Sequence, residues 1–162
     1  MRWLRVILFV LLLLAFTAGL RAEPVSQVTG RVAKVLPLFM DLQGNVAPSP
    51  SLYDRDAYQY ILQQSRTNAV SGIRFDVCWS AHKASGLNLK IRLELQGIGA
   101  GSLPTQITLE QTVTPKLFHH WVSLTLPGPD YKNFGVLSAW RATLWNGSQL
   151  LGEQKSFLWS PP

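Results

Sequence analysis

Residues 87–96 restrict the fold more than any other segment, because apolar and polar residues alternate there at ten consecutive positions. Five aliphatic residues fall on one side, and five polar residues fall on the other: Asn88, Lys90, Arg92, Glu94 and Gln96. Neighbouring side chains of a β-strand point to opposite faces, so this pattern predicts a strand with one buried and one hydrated face. The chain is therefore expected to build sheets that cover a core on one side only.

Other segments carry further strand and turn signals. Strands are predicted at residues 72–80, 107–113, 121–126, 140–145 and 150–159, with an edge strand within residues 30–40. Pro127 and Gly128 end one of these strands. Asn146 and Gly147 predict a hairpin turn because both tolerate positive φ angles, and Gly152 predicts a bulge in the last strand.

One short helix is predicted between the edge strand and the remaining strands. Ser51 and Asp54 have the spacing of a capping box at its first turn. Apolar residues recur at helical spacing after this start, namely Tyr53, Ala57, Tyr60 and Ile61. We expect this apolar stripe to lie across the sheets, and the helix to end between positions 64 and 68.

This order of elements predicts a mainly β fold in which two antiparallel sheets pack as a sandwich. Short strands separated by turns argue against a β-α-β fold, since nearly all of the helix is confined to one early segment. Residues 23–70 are expected to place a strand and the helix against the sandwich, and residues 71–162 to form its body. The two parts are expected to form one domain, because no internal repeat or long linker separates them.

Residues 71–159 resemble the immunoglobulin-like superfold in the order of their alternating strands. Trp140 stands where such domains often begin the penultimate strand with an aromatic residue. This resemblance implies an immunoglobulin-like sandwich, although the paired cysteines of antibody domains are missing. The whole chain is also similar to small exported proteins of bacteria. Neither resemblance implies an activity, since a superfold does not specify a function.

The chain begins with the pattern of an export signal, residues 1–22. Arg2 and Arg5 precede an uninterrupted apolar run, and small residues follow up to Ala22. The secretion machinery recognises a positive segment, an apolar core of about 7 to 15 residues and a small cleavage site. Cleavage after Ala22, or alternatively after Gly19, would place the protein in the periplasm or outside the cell. An uncleaved anchor is the other alternative, but the run is shorter than the roughly 20 apolar residues of a spanning helix.

Charge and cysteine content restrict the partners and the means of stabilisation. Without the three arginines of the signal, twelve basic residues remain beside nine acidic residues, a net charge of about +3. Nucleic-acid-binding domains cluster basic residues on one surface, whereas the lysines here are scattered, so we expect no nucleic-acid partner.

Cys78 is the only cysteine, so no disulfide can form within the chain. It is expected to be a partly covered, inert thiol, or alternatively to pair with a second molecule.

No motif for catalysis or metal binding is found in the sequence. The glycine-rich residues 97–102 are followed by a strand, so the helix that a phosphate-binding loop needs is missing. His119 and His120 are adjacent and would face opposite sides of a strand, so they cannot share one metal ion. Asp54 and Asp56 fall on different sides of the predicted helix. We therefore expect a protein without a catalytic site, a cofactor or a metal.

Two tryptophans are placed opposite the apolar positions of their strands. Trp121 and Trp145 are expected on hydrated faces, where they would form docking surfaces for a protein or for the flat side of a sugar. Arg92 and Arg141 are expected to contribute charge to such a surface. The alternatives are that the N-terminal segment covers the tryptophans and that the charges form a solvated face with weak ion pairs.

Together these features predict an exported, non-catalytic binding or assembly module of the cell envelope. Its expected partner is an envelope protein. The alternative function is a carbohydrate-binding module that holds a glycan against the exposed tryptophans. Contact with a membrane is expected only through an uncleaved signal.

Overall fold

The computed structural model describes residues 27–64, 69–115 and 118–161, so the predicted export signal lies outside the described residues. This part of the chain contains seven strands: β1 (Thr29–Met40), β2 (Gly72–His82), β3 (Leu89–Ile98), β4 (Pro104–Val113), β5 (His120–Leu126), β6 (Val136–Asn146) and β7 (Gln149–Lys155). It also contains helix α1 (Leu52–Gln64), helix α2 (Gly128–Phe134) and a short 3-10 turn (Ala100–Ser102). None of the described helices is long and apolar enough to cross a membrane.

The strands form two antiparallel sheets. The first sheet has three strands in the order β1-β2-β5, and the second has four strands in the order β4-β3-β6-β7. Each neighbouring pair within these sheets is antiparallel. The prediction of a mainly β fold with two antiparallel sheets is therefore confirmed.

The inner faces of the two sheets meet in one apolar core. Phe75 and Val77 of β2 are fully buried, as are Ile91 and Leu93 of β3 and Leu144 of β6. All five side chains belong to the same cluster of buried residues. Burying one such side chain contributes about 1.5–3 kcal/mol, so this shared cluster holds the sheets together in an arrangement compatible with a sandwich.

Helix α1 lies in the segment where a helix was predicted, but its apolar stripe points the other way. Tyr53 is 84% exposed and Tyr60 is 65% exposed, and Ile61 is exposed as well, whereas Leu62 on the opposite side is buried. The prediction that the stripe lies across the sheets is therefore wrong. Apolar spacing identified a helix but not the face that it buries.

Polar side chains attach helix α1 to the body of the protein. The Gln59 side chain accepts a hydrogen bond from the backbone N–H of Phe39 at 2.7 Å and donates one to the Phe39 carbonyl at 2.8 Å. The Tyr58 hydroxyl donates to the Asp41 carboxylate at 2.8 Å. These bonds orient the helix, because their partners belong to β1 and the loop after it. These hydrogen bonds therefore determine which side of helix α1 faces the sheets, and the apolar stripe lies on the other side.

Helix α2 is an element that the sequence analysis did not predict. It starts directly after Pro127, where only the end of β5 was expected, and it buries Phe134 in the core. Gly135 ends the helix with a φ of 80°, and a Cβ there would overlap the carbonyl of Ile98. Only glycine fits this position without strain. The prediction of a single helix is thus incomplete.

Strand β7 is shorter than the predicted last strand. It ends at Lys155, and Phe157 beyond it is almost fully exposed. The register with β6 shifts between the pair Leu144–Gly152 and the pair Trp145–Leu150. A bulge therefore exists where the sequence placed one, immediately before Gly152.

Candidate functional site

Three of the four residues predicted to bind a partner lie on the outer face of the four-stranded sheet. They are Arg92 of β3 together with Arg141 and Trp145 of β6. The guanidinium carbon of Arg92 lies 5.5 Å from the centroid of the Trp145 ring, within cation–π range. Trp145 Nε1 donates a hydrogen bond to Thr143 Oγ1 at 2.8 Å. Trp145 is therefore packed against its own sheet and is not free to act as a flat platform.

The charged side chains of this face pair with one another. Glu110 accepts hydrogen bonds from Arg92 Nε at 2.7 Å and from Lys90 Nζ at 2.8 Å. Arg141 donates to Glu153 at 3.0 Å. The hydrogen bonds from Lys90 and Arg92 hold the pKa of the Glu110 carboxyl below its ordinary value. Solvent screens exposed pairs of this kind, so the face is a solvated network of ion pairs that adds little to stability.

Trp121, the fourth predicted residue, lies on the other sheet. It is 54% exposed, whereas the next residue of β5, Val122, is buried in the core. Its register partner on β2 is Cys78, which is buried. The structure thus brings Arg92, Arg141 and Trp145 together but places Trp121 on a different outer face. The two tryptophans do not form one surface.

Polar groups surround Trp121 on its face of the three-stranded sheet. Asp76 accepts hydrogen bonds from Ser123 Oγ at 2.7 Å and from Arg74 Nη2 at 2.9 Å. Arg74 and Asp76 precede Cys78 in alternating positions of β2, and Ser123 follows Trp121 in the same way on β5. This face therefore offers an exposed indole beside hydroxyl, carboxylate and guanidinium groups.

A groove of about 830 Å³ lies between helix α1, strand β1 and the beginning of β6. We call it the helix–strand groove. Its lining includes apolar side chains from all three elements, among them Pro37, Phe39, Tyr60, Val136 and Leu137. Its volume falls in the range of about 300–1,000 Å³ that is typical of ligand sites. The sequence analysis did not predict this site.

The arrangement of the strands explains why the groove is open. Strand β1 is an edge strand, and β7 pairs with β6 only from Arg141 onwards. Residues 136–139 of β6 therefore have no paired strand on that side among the described residues. Tyr60 and Val136 remain 65% and 49% exposed at this opening. Residues far apart in sequence thus form one concave apolar surface.

The edge of β1 inside the groove is protected against pairing with another strand. The Gln59 amide occupies both backbone hydrogen-bonding groups of Phe39. Pro37 has no N–H to donate, and proline at a strand edge prevents further pairing. A molecule bound here would therefore contact side chains rather than extend the sheet.

The glycine-rich segment and the histidine pair make packing and hydrogen-bond contacts in the described structure. A Cβ at Gly97 would lie 2.6 Å from the Phe134 ring, so this glycine provides space for core packing. His119 contacts Arg31, whereas the His120 ring packs 5.5 Å from the Trp79 ring. Within residues 27–64, 69–115 and 118–161, no cluster of three or more histidine, cysteine or acidic residues can hold a metal ion.

Similarity to known proteins assigns no function to this chain. Comparison with protein families, curated proteins and solved structures gives no match to any of them. The helix–strand groove and the face around Trp121 are therefore the candidate sites of function.

Proposed function

We propose that the protein is an exported, non-catalytic binding or assembly module of the cell envelope, and that it holds an apolar part of a protein partner in the helix–strand groove. The observation that carries this proposal is the groove itself. Its volume is about 830 Å³, and Tyr60 and Val136 are exposed along it. Concave apolar sites with a few polar groups are the usual places of binding.

The composition of the groove favours a protein partner. Aromatic residues are enriched at protein interfaces, and Tyr60 stands at the groove with its ring largely exposed. Arg55 and Asp56 line the same groove and pair with each other at 2.8 Å. Lys132 is the other charged residue of the lining, and most of the remaining lining residues are apolar, so apolar contact would supply most of the affinity.

An immunoglobulin-like arrangement is part of the proposal. The order of strands supports it, because β1, β2 and β5 take the places of strands A, B and E of such domains. Strands β3, β6 and β7 take the places of C, F and G in the second sheet, with β4 added beside β3.

The signal pattern at residues 1–22 supports export to the periplasm or the cell exterior.

Site-specific photo-crosslinking in an envelope extract of the host would test the groove. A photo-crosslinking phenylalanine analogue at position 60 should give one adduct of defined mass with a single protein. The matched control has the same analogue at Tyr53, which is on the same helix and 84% exposed but does not line the groove. Equal adducts from positions 53 and 60 would show that exposure alone, and not the groove, decides the contact.

We predict that Val136→Asp lowers the yield of the position 60 adduct at least tenfold. An aspartate in the groove would have to lose water when an apolar side chain enters, and such burial of a charge is unfavourable. Leu150→Asp is the control, because Leu150 is also an exposed apolar residue but lies outside the groove. The yield is measured by quantitative mass spectrometry. An undiminished adduct in the Val136 variant contradicts the proposal.

Carbohydrate binding at Trp121 is the second candidate function. The exposed indole beside Asp76 and Ser123 favours it, since polar groups next to an aromatic face can orient a sugar. Titration with soluble peptidoglycan fragments should then change the tryptophan fluorescence in a saturable way. Trp121→Ala is expected to abolish this change, whereas Trp145→Ala on the other sheet should retain it. Loss of the response in both variants, or in neither, would count against this site.

A further inference from the structure

A second pocket, of about 570 Å³, lies where the end of β2 meets the loop before β5. Its lining comprises Arg31 of β1, Ser80 and His82 of β2, Lys83 and Ser85 of the following turn, and His119 before β5, together with four apolar or small residues. It shares no lining residue with the helix–strand groove. We call it the basic pocket.

The charge in the basic pocket has one sign. Among the described residues that line it, four carry basic or imidazole side chains and none carries a carboxylate. In the described part of the chain, no acidic residue forms an ion pair with Arg31, His82, Lys83 or His119. This differs from the outer face of the four-stranded sheet, where Arg92 and Arg141 are both paired with glutamates. Unpaired positive groups in a concave site attract anions.

A hydrogen bond positions the arginine of the pocket. Arg31 Nη2 lies 2.6 Å from His119 Nε2, and because a guanidinium has no acceptor atom, it donates this bond. A guanidinium has five N–H donors, so others remain for a ligand. Arg31 is thus held in place without being neutralised.

Two residues of the pocket lining have unusual backbone angles. Lys83 has a φ of 56° and Phe118 has a φ of 76°, although neither residue is glycine. Residues other than glycine rarely adopt this left-handed backbone conformation, and the exceptions cluster at binding sites. Phe118 is also almost fully exposed beside the basic groups.

We propose that the basic pocket binds an oxyanion, the phosphate or sulfate group of a molecule in the cell envelope. Arginine and lysine recognise such groups through charged hydrogen bonds, with Arg31 presenting a planar fork and Lys83 a point charge. The hydroxyls of Ser80 and Ser85 are further donors that line the pocket. The site uses no residue of the helix–strand groove or of the Trp121 face, and only the location of its ligand in the cell envelope rests on the proposed function.

Titration calorimetry at constant ionic strength tests the proposal. The protein is used in the form that the expressing cell exports. Inorganic phosphate and inorganic sulfate are the two soluble probes, and sodium chloride replaces them in the reference titration. Vesicles that contain an anionic phospholipid are the third probe and distinguish a lipid headgroup from a free ion. We expect saturable binding of at least one of the three probes.

Arg31→Gln and Lys83→Gln are each expected to weaken this binding at least tenfold. Lys34→Gln is the control, because Lys34 is an exposed lysine of the same strand β1 that does not line the pocket. It should change the affinity less than twofold. Thermal melting of each variant establishes that it is folded. Absence of binding to all three probes, or binding that the pocket variants leave unchanged, overturns the proposal.

Discussion

Ile91→Asp is expected to abolish folding of the protein. Ile91 is fully buried near the start of β3, where it belongs to the core that both sheets share. The substitution removes about 1.5–3 kcal/mol of apolar burial. It also places a carboxylate where no partner exists, which costs several kcal/mol more unless the group is protonated. Single domains are stable by only about 5–15 kcal/mol, so the two effects together remove most of the stability.

Circular dichroism and thermal melting of the purified variant measure this effect. The variant should lack a cooperative unfolding transition, or it should not accumulate at all. Thr112→Asp is the control, since Thr112 is exposed on β4 and faces Lys90 across the strands. An exposed change of this kind normally alters the stability by no more than about 0.5 kcal/mol. A cooperative transition at the normal temperature in the Ile91 variant would contradict the described core.

The sheets could be predicted from the sequence because strand alternation is a local signal. Residues 87–96 were predicted as a strand with aliphatic residues inside, and β3 spans Leu89–Ile98 with Leu89, Ile91, Leu93 and Leu95 buried. The same reasoning placed Trp121 on a hydrated face, where it is found. Alternation depends only on the geometry of one strand, so tertiary contacts do not disturb it.

The location of each strand in the two sheets could not be predicted in the same way. Trp121 and Trp145 both point away from the core, but alternation does not indicate which sheet contains each strand. The register shows that β5 joins β2, whereas β6 joins β3. The helix–strand groove depends on this topology too, because it combines residues near positions 37, 60 and 136. No local pattern carries that information.

The orientation of helix α1 could not be predicted from the sequence either, because hydrogen bonds of polar side chains determine it. Its exposed stripe has the spacing of a buried one, and only the contacts of Tyr58 and Gln59 with the chain around β1 reveal which side faces inward. Asp41 receives the first of these contacts and is itself buried. A carboxylate between two hydrophobic segments gave no sequence signal for this role, although it links β1, the following loop and the helix.

Asp41 is the centre of a network of four hydrogen bonds. Its Oδ1 accepts the backbone N–H groups of Gln43 and Asn45 at 2.9 and 2.8 Å. Its Oδ2 accepts the Tyr58 hydroxyl at 2.8 Å and the Asn45 side-chain amide at 3.3 Å. Burial alone would raise the pKa of Asp41, but the hydrogen bonds from Asn45, Tyr58 and Gln43 outweigh it and lower this pKa below its ordinary value. The hydrogen bond to the carboxylate raises the pKa of Tyr58.

The lowered pKa of Asp41 makes its contribution to stability dependent on pH. A group whose pKa is lower in the folded state stabilises the fold while it is ionised. This stabilisation is complete above the ordinary aspartate pKa of about 3.9, and it is lost as the pH falls through the lower pKa of the folded state. The difference between the protein and a variant with a neutral residue at this position should therefore decrease in acid.

Asp41→Asn is accordingly expected to destabilise the protein by about 1–3 kcal/mol at pH 7, the usual cost of losing a hydrogen-bonded charged partner at a buried site. Urea unfolding at about pH 7 and at a series of lower pH values measures the difference, which should narrow as the pH falls below about 3.9, because the unfolded chain then takes up the proton of Asp41 before the folded chain does. Asp130→Asn is the control, since Asp130 is exposed in the first turn of α2. Its effect should be small at all of these pH values. A gap for Asp41 that stays the same in acid would mean that shape alone, and not the charge of the carboxylate, holds helix α1 beside the helix–strand groove.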